Sequence, residues 1–403
     1  MIPRICNLPV SLSYFLLGPR QTGKSTLINA LLPEGSFSVN LLHRDRFLQL
    51  SKDPSLLRRE VDAWLAHGQT TQQVLFIDEI QRLSVLLDEV HDLLERYKHL
   101  QVILTGSSAR KLKRGQVNLG GGRLLENHLF PLTMEELGAA FELESVLRFG
   151  TLPSLFVMET ANDIQHVRRR SDSECRDLLR AYVSLYLKEE VQEEALTRHI
   201  GDFSRFLDVA AAQNGEILNA SNIARECAVD RKTVSAYFSI LEDTLIGFPL
   251  LPWRKSVRKR LSLHPKFYFF DLGVVNALTQ SLTETVHPLV RGRLFEHLLI
   301  LETYRLRAYR KSEAGLFYWR TNTGAEVDLV IAKHGQPTAA CEFKSGRNAA
   351  HGPFPGLVAF AGDYPDVPCY VVAEIDRPQL VGQTHPVRVI PWREYCQMLP
   401  DLL

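Results

Sequence analysis

GPRQTGKST (residues 18–26) and VLFIDEIQR (residues 74–82) decide how this chain is read. The first satisfies G-x-x-x-x-G-K-[ST], which arises by chance in roughly one random chain of this length in a hundred. It follows the apolar run YFLL (14–17) and precedes a segment with helical spacing, Lys24–Leu32. Gly18 and Gly23 let the backbone turn its N–H groups inward around phosphates, at the positive end of a helix. Pro19, Arg20, Gln21, Thr22 and Thr26 complete the loop's lining. Lys24 supplies a point charge for the β- and γ-phosphates of ATP, and the Ser25 hydroxyl is a ligand for Mg²⁺. The second stretch is an apolar strand ending in Asp78, a carboxylate placed to hold Mg²⁺ through water. Glu79 is then the residue to orient and deprotonate the attacking water.

Working outward, VLFID (74–78) and QVILTG (101–106) are short apolar runs bounded by turn residues, separated by the helical stretch Leu83–Lys98. Strands alternating with helices predict an α/β sandwich around a mostly parallel sheet. The third strand ends in Thr105-Gly106-Ser107-Ser108, so Thr105 or Ser107 is expected to sense the γ-phosphate. Gly120-Gly121-Gly122-Arg123 offers an arginine for a neighbouring subunit's γ-phosphate, with Arg110 as the rival.

Composition bounds the rest. The 403 residues are 45% hydrophobic and 23% charged with a formal net charge of +1, so total charge points to no nucleic-acid or acidic partner. Six scattered cysteines, with no C-x-x-C pair, argue for a reducing compartment and against structural zinc. No stretch approaches the roughly 18 apolar residues of a membrane span. The expected location is cytoplasmic.

After Pro131 the pattern changes. Residues 133–213 read as helical, notably CRDLLRAYVSLYLKEEVQEEAL (175–196). Asn219–Asp243 reads as helix, turn, helix, with Ile223, Ala224, Cys227, Val229, Val234, Tyr237, Phe238 and Leu241 as the buried stripe. Asp230 caps the second helix, and Arg231, Lys232 and Thr233 follow at once, as on a recognition helix. RKSVRKR (254–260) puts five basic residues in seven between two strand-like runs, a basic wing for phosphates.

The last third carries an amphipathic helix (Leu294–Arg307) and the strands LFYWR (316–320), AEVDLVIA (325–332) and TAACEFK (338–344). Glu342 and Lys344 share a strand face. Pairing of the last two strands would bring Asp328 beside them, with Glu296 from the helix completing the set. Asp328 and Glu342 as Mg²⁺ ligands, with Lys344 to polarise phosphate or activate water, would suit phosphodiester hydrolysis. Domain boundaries are expected near 140 and 280, giving 1–140, 141–280 and 281–403.

Together these segments resemble a family of bacterial and archaeal AAA-type ATPases of the additional-strand, catalytic-glutamate class. The likeness rests on LLGPRQTGKSTL, LFIDEIQRL, ILTGSSARKL, GGGR ahead of FPLTMEEL, FLDVAAAQNGEILNASNIA, and YWRTNTGAEVDLVI with CEFKSG. It implies a P-loop ATPase sandwich, a helical and winged-helix middle, and a C-terminal α/β domain like restriction-endonuclease-type PD-(D/E)xK nucleases. It also implies Asp78 on Mg²⁺, Glu79 as base, Arg123 as the trans-acting arginine, and Glu296, Asp328, Glu342 and Lys344 as the nuclease-like set. The expected function is ATP-driven processing of duplex or branched DNA, Holliday junctions included, by a ring-like homo-oligomer. The alternatives are a nucleotide-controlled DNA-binding switch without nuclease activity and a protein-remodelling ATPase.

Overall fold

A computed structural model describes residues 1–67, 72–108, 123–161, 164–187, 200–254, 264–346, 352–382 and 386–403. The N-terminal sheet is five-stranded and parallel: β1 (Tyr14–Leu17), β2 (Phe37–Asn40), β3 (Gln73–Asp78), β4 (Leu100–Gly106) and β5 (Leu125–His128), in the order β2-β3-β4-β1-β5. The three expected strands are the buried centre, where every residue of β1 and β4 is covered. The two unforeseen ones are edges, and LENH and FSVN are too short and polar to announce themselves.

Because β4 lies between β1 and β3, the phosphate loop after β1 and the acidic end of β3 open at the same edge with the end of β4 between them. Helix α1 (Lys24–Leu31) leaves the loop directly. Helix α2 (Leu86–Arg96) buries Leu86, Leu87, Val90, Leu93 and Leu94 along one stripe. Asp88 and Glu89 in its first turn and Arg96 in its last complement the helix dipole.

The middle departs from the all-helical expectation for 133–213. Residues Phe156–Ala161 and Ile164–Arg169 form an antiparallel ribbon, β6–β7. FVMETA carries Phe, Val and Thr, and IQHVRR carries Ile and Val, residues that suit strands. The segment 175–196 is helical to Ala181 and turns to a π-helix over Tyr182–Leu187; its remainder lies outside the described residues.

Helices Ile200–Ala212, Ala220–Glu226 and Arg231–Asp243 follow, then the hairpin β8 (Gly247–Pro252) and β9 (Lys266–Phe269). Residues 215–218 add to β9 through Gly215 N–H to Phe267 O and Leu218 N–H to Pro265 O, both 2.8 Å.

The hairpin does not stop at the expected boundary. β8 pairs in parallel with β10 (Gly315–Arg320), making one eight-stranded sheet in the order β14-β15-β13-β12-β11-β10-β8-β9. Its other strands are β11 (Glu326–Lys333), β12 (Gln336–Lys344), β13 (Cys369–Ala373), β14 (Gln379–Val381) and β15 (Val387–Pro391). A cut near residue 280 therefore divides a sheet, and one hydrophobic core runs from Leu132 to Leu399 across it.

At its centre lies the helix Pro288–Tyr309. The sequence suggests an amphipathic helix, but every residue from His297 to Thr303 is buried. This helix is covered on several sides, and most of its buried polar atoms bond within the protein, Glu302 Oε1 and Arg305 Nε having no hydrogen-bond partner among the described residues. Arg305, 1% exposed, donates to Leu132 O, Thr151 Oγ1 and Phe270 O at 2.9–3.0 Å, joining three parts of the chain.

Candidate nucleotide site and the C-terminal carboxylates

The loop Gly18–Ser25 is shaped for phosphate by its backbone. Gly23 has φ +90°, and Gln21 adopts φ +63° despite its side chain. A Cβ on Gly18 would sit 2.1 Å from Leu129 O, so only glycine allows β1 to turn there. The Lys24 ammonium, 5% exposed, folds back on the loop and donates to Gly18 O (2.8 Å) and Pro19 O (3.0 Å). Thr22 Oγ1 also donates to Pro19 O, at 3.0 Å. Ser25 Oγ donates to Asp78 Oδ1 at 2.8 Å, linking the loop to β3.

Around the acidic pair the geometry is tight. Asp78 is 2% exposed, and its Oδ1 also accepts the Thr105 hydroxyl. Thr105 in turn accepts the Glu79 N–H at 3.2 Å, and Glu79 takes the left-handed conformation, φ +60°. Of the two sensor expectations, Thr105 is committed to Asp78, while Ser107 Oγ accepts from Gln81 Nε2 at 3.0 Å. Sequence reasoning passed over Gln81. Its only signal there was its place two residues after Glu79.

Arg4 was missed as well. Its guanidinium donates to Thr22 O (2.8 Å), Phe130 O, Glu136 Oε1 (2.9 Å) and the Tyr309 hydroxyl (3.0 Å). It holds the back of the phosphate loop against the long helix Pro288–Tyr309. A cavity of about 230 Å³ opens beside it, lined by Ile2, Thr22, Thr26, Leu27, Phe156 and Met158 among others. This largely apolar space borders the first turn of α1, where a flat base could lie.

Arg123 precedes β5, at the end of the sheet opposite its own loop, and pairs with Glu95 at 3.3 Å. Arg110 and Gly120–Gly122 lie outside the described residues, as does RKSVRKR after Arg254. The capped helix is as expected: Asp230 Oδ1 accepts Thr233 N–H at 2.8 Å, and Arg231 and Lys232 are exposed. All of the foreseen stripe is buried except Val229, which is half-buried.

The carboxylates of the last third are brought to one end of the sheet but do not make a cation cage. Glu296 Oε1 accepts Lys266 Nζ (3.0 Å) and the Tyr268 hydroxyl (2.6 Å). Lys266, 4% exposed, also pairs with Glu326 at 2.6 Å. Asp328 Oδ2 accepts Phe343 N–H (2.8 Å), and Glu342 pairs with Lys344 at 2.7 Å.

Burial and the nearby Glu296 charge push the Asp328 carboxyl up to about 8. Among the described residues no three acidic, histidine or cysteine side chains gather as metal ligands. Asp328 and Glu342, the expected Mg²⁺ pair, bond instead to Phe343 N–H and to Lys344, while Glu342 Oε2 is buried without a hydrogen-bond partner among the described residues. An internal ammonium, Lys266 from the hairpin, pairs with Glu296 and Glu326 beside them.

The Mg²⁺–ATP expectation at the loop does fit: a glycine cradle, a buried ammonium and a hydroxyl–carboxylate pair are assembled at one strand edge. Residues 11–138 match the family model described as "AAA domain". The N-terminal third is thus similar to an AAA domain. Residues 164–285 and 291–395 match two models each described as a domain of unknown function, DUF8612 and DUF4143.

An uncharacterised protein of Mycobacterium tuberculosis and one of Mycobacterium bovis are each 26% identical over 329 residues, covering 80% of this chain and 68% of theirs. Among solved structures, the Aeropyrum pernix ORC2 protein in its ADP form is similar over 68% of this chain and 88% of its own, at 13% identity and TM-score 0.31. A structure of Drosophila ORC bound to AT-rich DNA and Cdc6 is similar over 66% and 84%, at 12% and TM-score 0.22. TM-scores this low establish no shared fold. No described helix is long and apolar enough to cross a membrane.

Proposed function

We propose that this chain hydrolyses ATP and uses the cycle to bind and remodel DNA, acting as a homo-oligomer. The observation that carries the ATPase part is the junction of Ser25, Asp78 and Glu79 at one strand edge, beside the buried Lys24. Ser25 and Asp78 would hold Mg²⁺, which supplies charge neutralisation at the phosphates. Lys24 exchanges its loop carbonyls for phosphate oxygens, and Glu79 takes the proton of the attacking water. The base rests in the apolar cavity by Thr26 and Leu27. Arg123, on the far end of the sheet from its own loop, serves a second copy, with Arg110 as the alternative.

DNA is the partner because the Asp230-capped helix presents Arg231 and Lys232 to solvent on a three-helix unit with an attached hairpin. In the sequence, RKSVRKR (254–260) lies between the two strands of that hairpin. Duplex and branched DNA, Holliday junctions included, are both within this reading. The account includes no metal-dependent cleavage, since Glu296 is already paired with Lys266 and Glu342 with Lys344. The test is ATP turnover with and without linear, forked and four-way DNA. Turnover rising on DNA supports the proposal; indifference to every form, with no DNA binding at low salt, removes the DNA part.

One observation favours a second reading, a nucleotide-controlled switch. Arg4 connects Thr22 of the loop to Tyr309 of the helix Pro288–Tyr309, a route by which bound nucleotide would alter the rest of the chain. Slow turnover unaffected by DNA, with DNA affinity that differs between ATP and ADP states, selects this reading.

A further inference from the structure

Gln81 has no assigned role, yet it touches both groups expected to meet the γ-phosphate end of a nucleotide. It sits in the 3₁₀ turn Ile80–Leu83 that follows Glu79, and its side chain is 5% exposed. Nε2 donates to Glu79 Oε2 and to Ser107 Oγ, so both amide hydrogens are committed. Oε1 is buried with no partner among the described residues. A Cβ on Gly106 would lie 2.7 Å from that oxygen. The glycine ending β4 is therefore what admits the amide between the two strands. Arg82, the next residue, donates to Leu41 O at 3.1 Å and anchors the turn.

The polarity of these bonds carries the argument. An amide NH₂ only donates. Ser107 accepts from it, so the serine's own proton is available for another acceptor. Glu79 has one oxygen engaged, which leaves Oε1 as the proton acceptor and fixes the carboxylate's rotation. Any side chain that accepts from Ser107 would turn its proton inward and remove a donor from the nucleotide's side.

We propose that Gln81 is a positioning residue for ATP hydrolysis, its amide holding Glu79 and Ser107 together so that one presents an acceptor to water and the other a donor to the γ-phosphate. This rests on the ATPase reading above. The buried amide leaves one oxygen unpaired, a cost that the two bonds from its nitrogen offset.

Two variants separate the polarity from mere packing. Gln81→Glu reverses the Ser107 bond and sets a carboxylate beside Glu79. Gln81→Met keeps the volume and removes both bonds. Affinities for ADP and for a slowly hydrolysed ATP analogue are read by titration, alongside turnover, its pH profile and thermal stability of the nucleotide-free protein.

The expectation for Gln81→Glu is that preference for the ATP analogue over ADP falls about tenfold while ADP affinity holds within threefold, each tenfold step being 1.36 kcal/mol. Its turnover should fall about a hundredfold, with the acid limb of the pH profile moved upward by the added carboxylate. Gln81→Met should lower kcat about tenfold with KM within threefold. Wild-type values in both variants would overturn the proposal. So would equal losses of ADP and ATP-analogue affinity accompanied by a drop in Tm. Absence of turnover in the wild type itself counts against the ATPase reading, while the ATP-over-ADP ratio still reads the role of Gln81.

Discussion

Ser25 Oγ lies 2.8 Å from Asp78 Oδ1, closing the gap between the phosphate loop and the strand two places away in the sheet. Asp78 accepts the Thr105 hydroxyl as well, so three segments of the chain converge on one carboxylate. Asp78→Asn should therefore leave the fold intact and lower kcat by about a hundredfold, ~2.7 kcal/mol of transition-state stabilisation. Steady-state turnover against Mg²⁺ concentration checks this; an unchanged Mg²⁺ dependence would place the ion elsewhere.

The exposed start of the helix Arg231–Asp243 gives a separable prediction. Arg231→Ala with Lys232→Ala should weaken binding to all DNA forms alike. It should also reduce the slope of log K against log salt by about two, one for each phosphate contact. Asp230→Ala removes the cap and costs about 1 kcal/mol of stability. Fluorescence anisotropy across a salt series distinguishes the two effects, and an unaltered slope in the double variant would move the DNA contact off this helix.

Lys266 makes the C-terminal prediction. Removing its ammonium as Lys266→Met leaves Glu296 and Glu326 without their buried partner, a loss of about 3 kcal/mol. The carboxylates then lack counter-charge, so millimolar Mg²⁺ or Ca²⁺ should raise the variant's Tm without nucleotide and leave the wild type's unmoved. A wild-type Tm that rises with the ion and loses that rise in Glu342→Gln would restore the metal site.

Glu302 gives the pH prediction. Burial raises its carboxyl from 4.5 to about 7, while Oε2 accepts Met134 N–H at 3.0 Å. Between those values the folded state holds a proton the unfolded state has released, so stability falls as pH rises through the window. Glu302→Gln keeps an acceptor for Met134 and cannot ionise. Its stability relative to wild type should grow from near zero at pH 4.5 to a plateau above pH 7, at most about 3 kcal/mol. Chemical denaturation at pH 5 and 8 reads the difference, and an equal difference at both would refute it.

Much of the nucleotide site was legible because its chemistry is local: a loop between a strand and a helix, and two acids at a strand end. The stripe of the helix pair was legible for the same reason, since periodicity alone places Ile223, Val234 and Leu241 inside. Edge strands β2 and β5 were not, because their neighbours rather than their own composition make them strands. Nor was the joining of β8 to β10, or the meeting of Lys266 with Glu296, thirty residues apart and set by tertiary pairing. Arg4 and Gln81 escaped notice for a related reason. Arg4 acts through bonds to residues far along the chain, and Gln81 through Ser107, 26 residues on, its place two after Glu79 being its only local signal.

The central claim is that Glu79, held beside the Ser25–Asp78 pair, is the base for ATP hydrolysis. The most direct measurement compares wild type and Glu79→Gln for ATP affinity and single-turnover hydrolysis in the presence of Mg²⁺. The account predicts affinity within a few-fold of wild type and hydrolysis lowered by about a hundredfold or more. Hydrolysis at the wild-type rate in Glu79→Gln would contradict it.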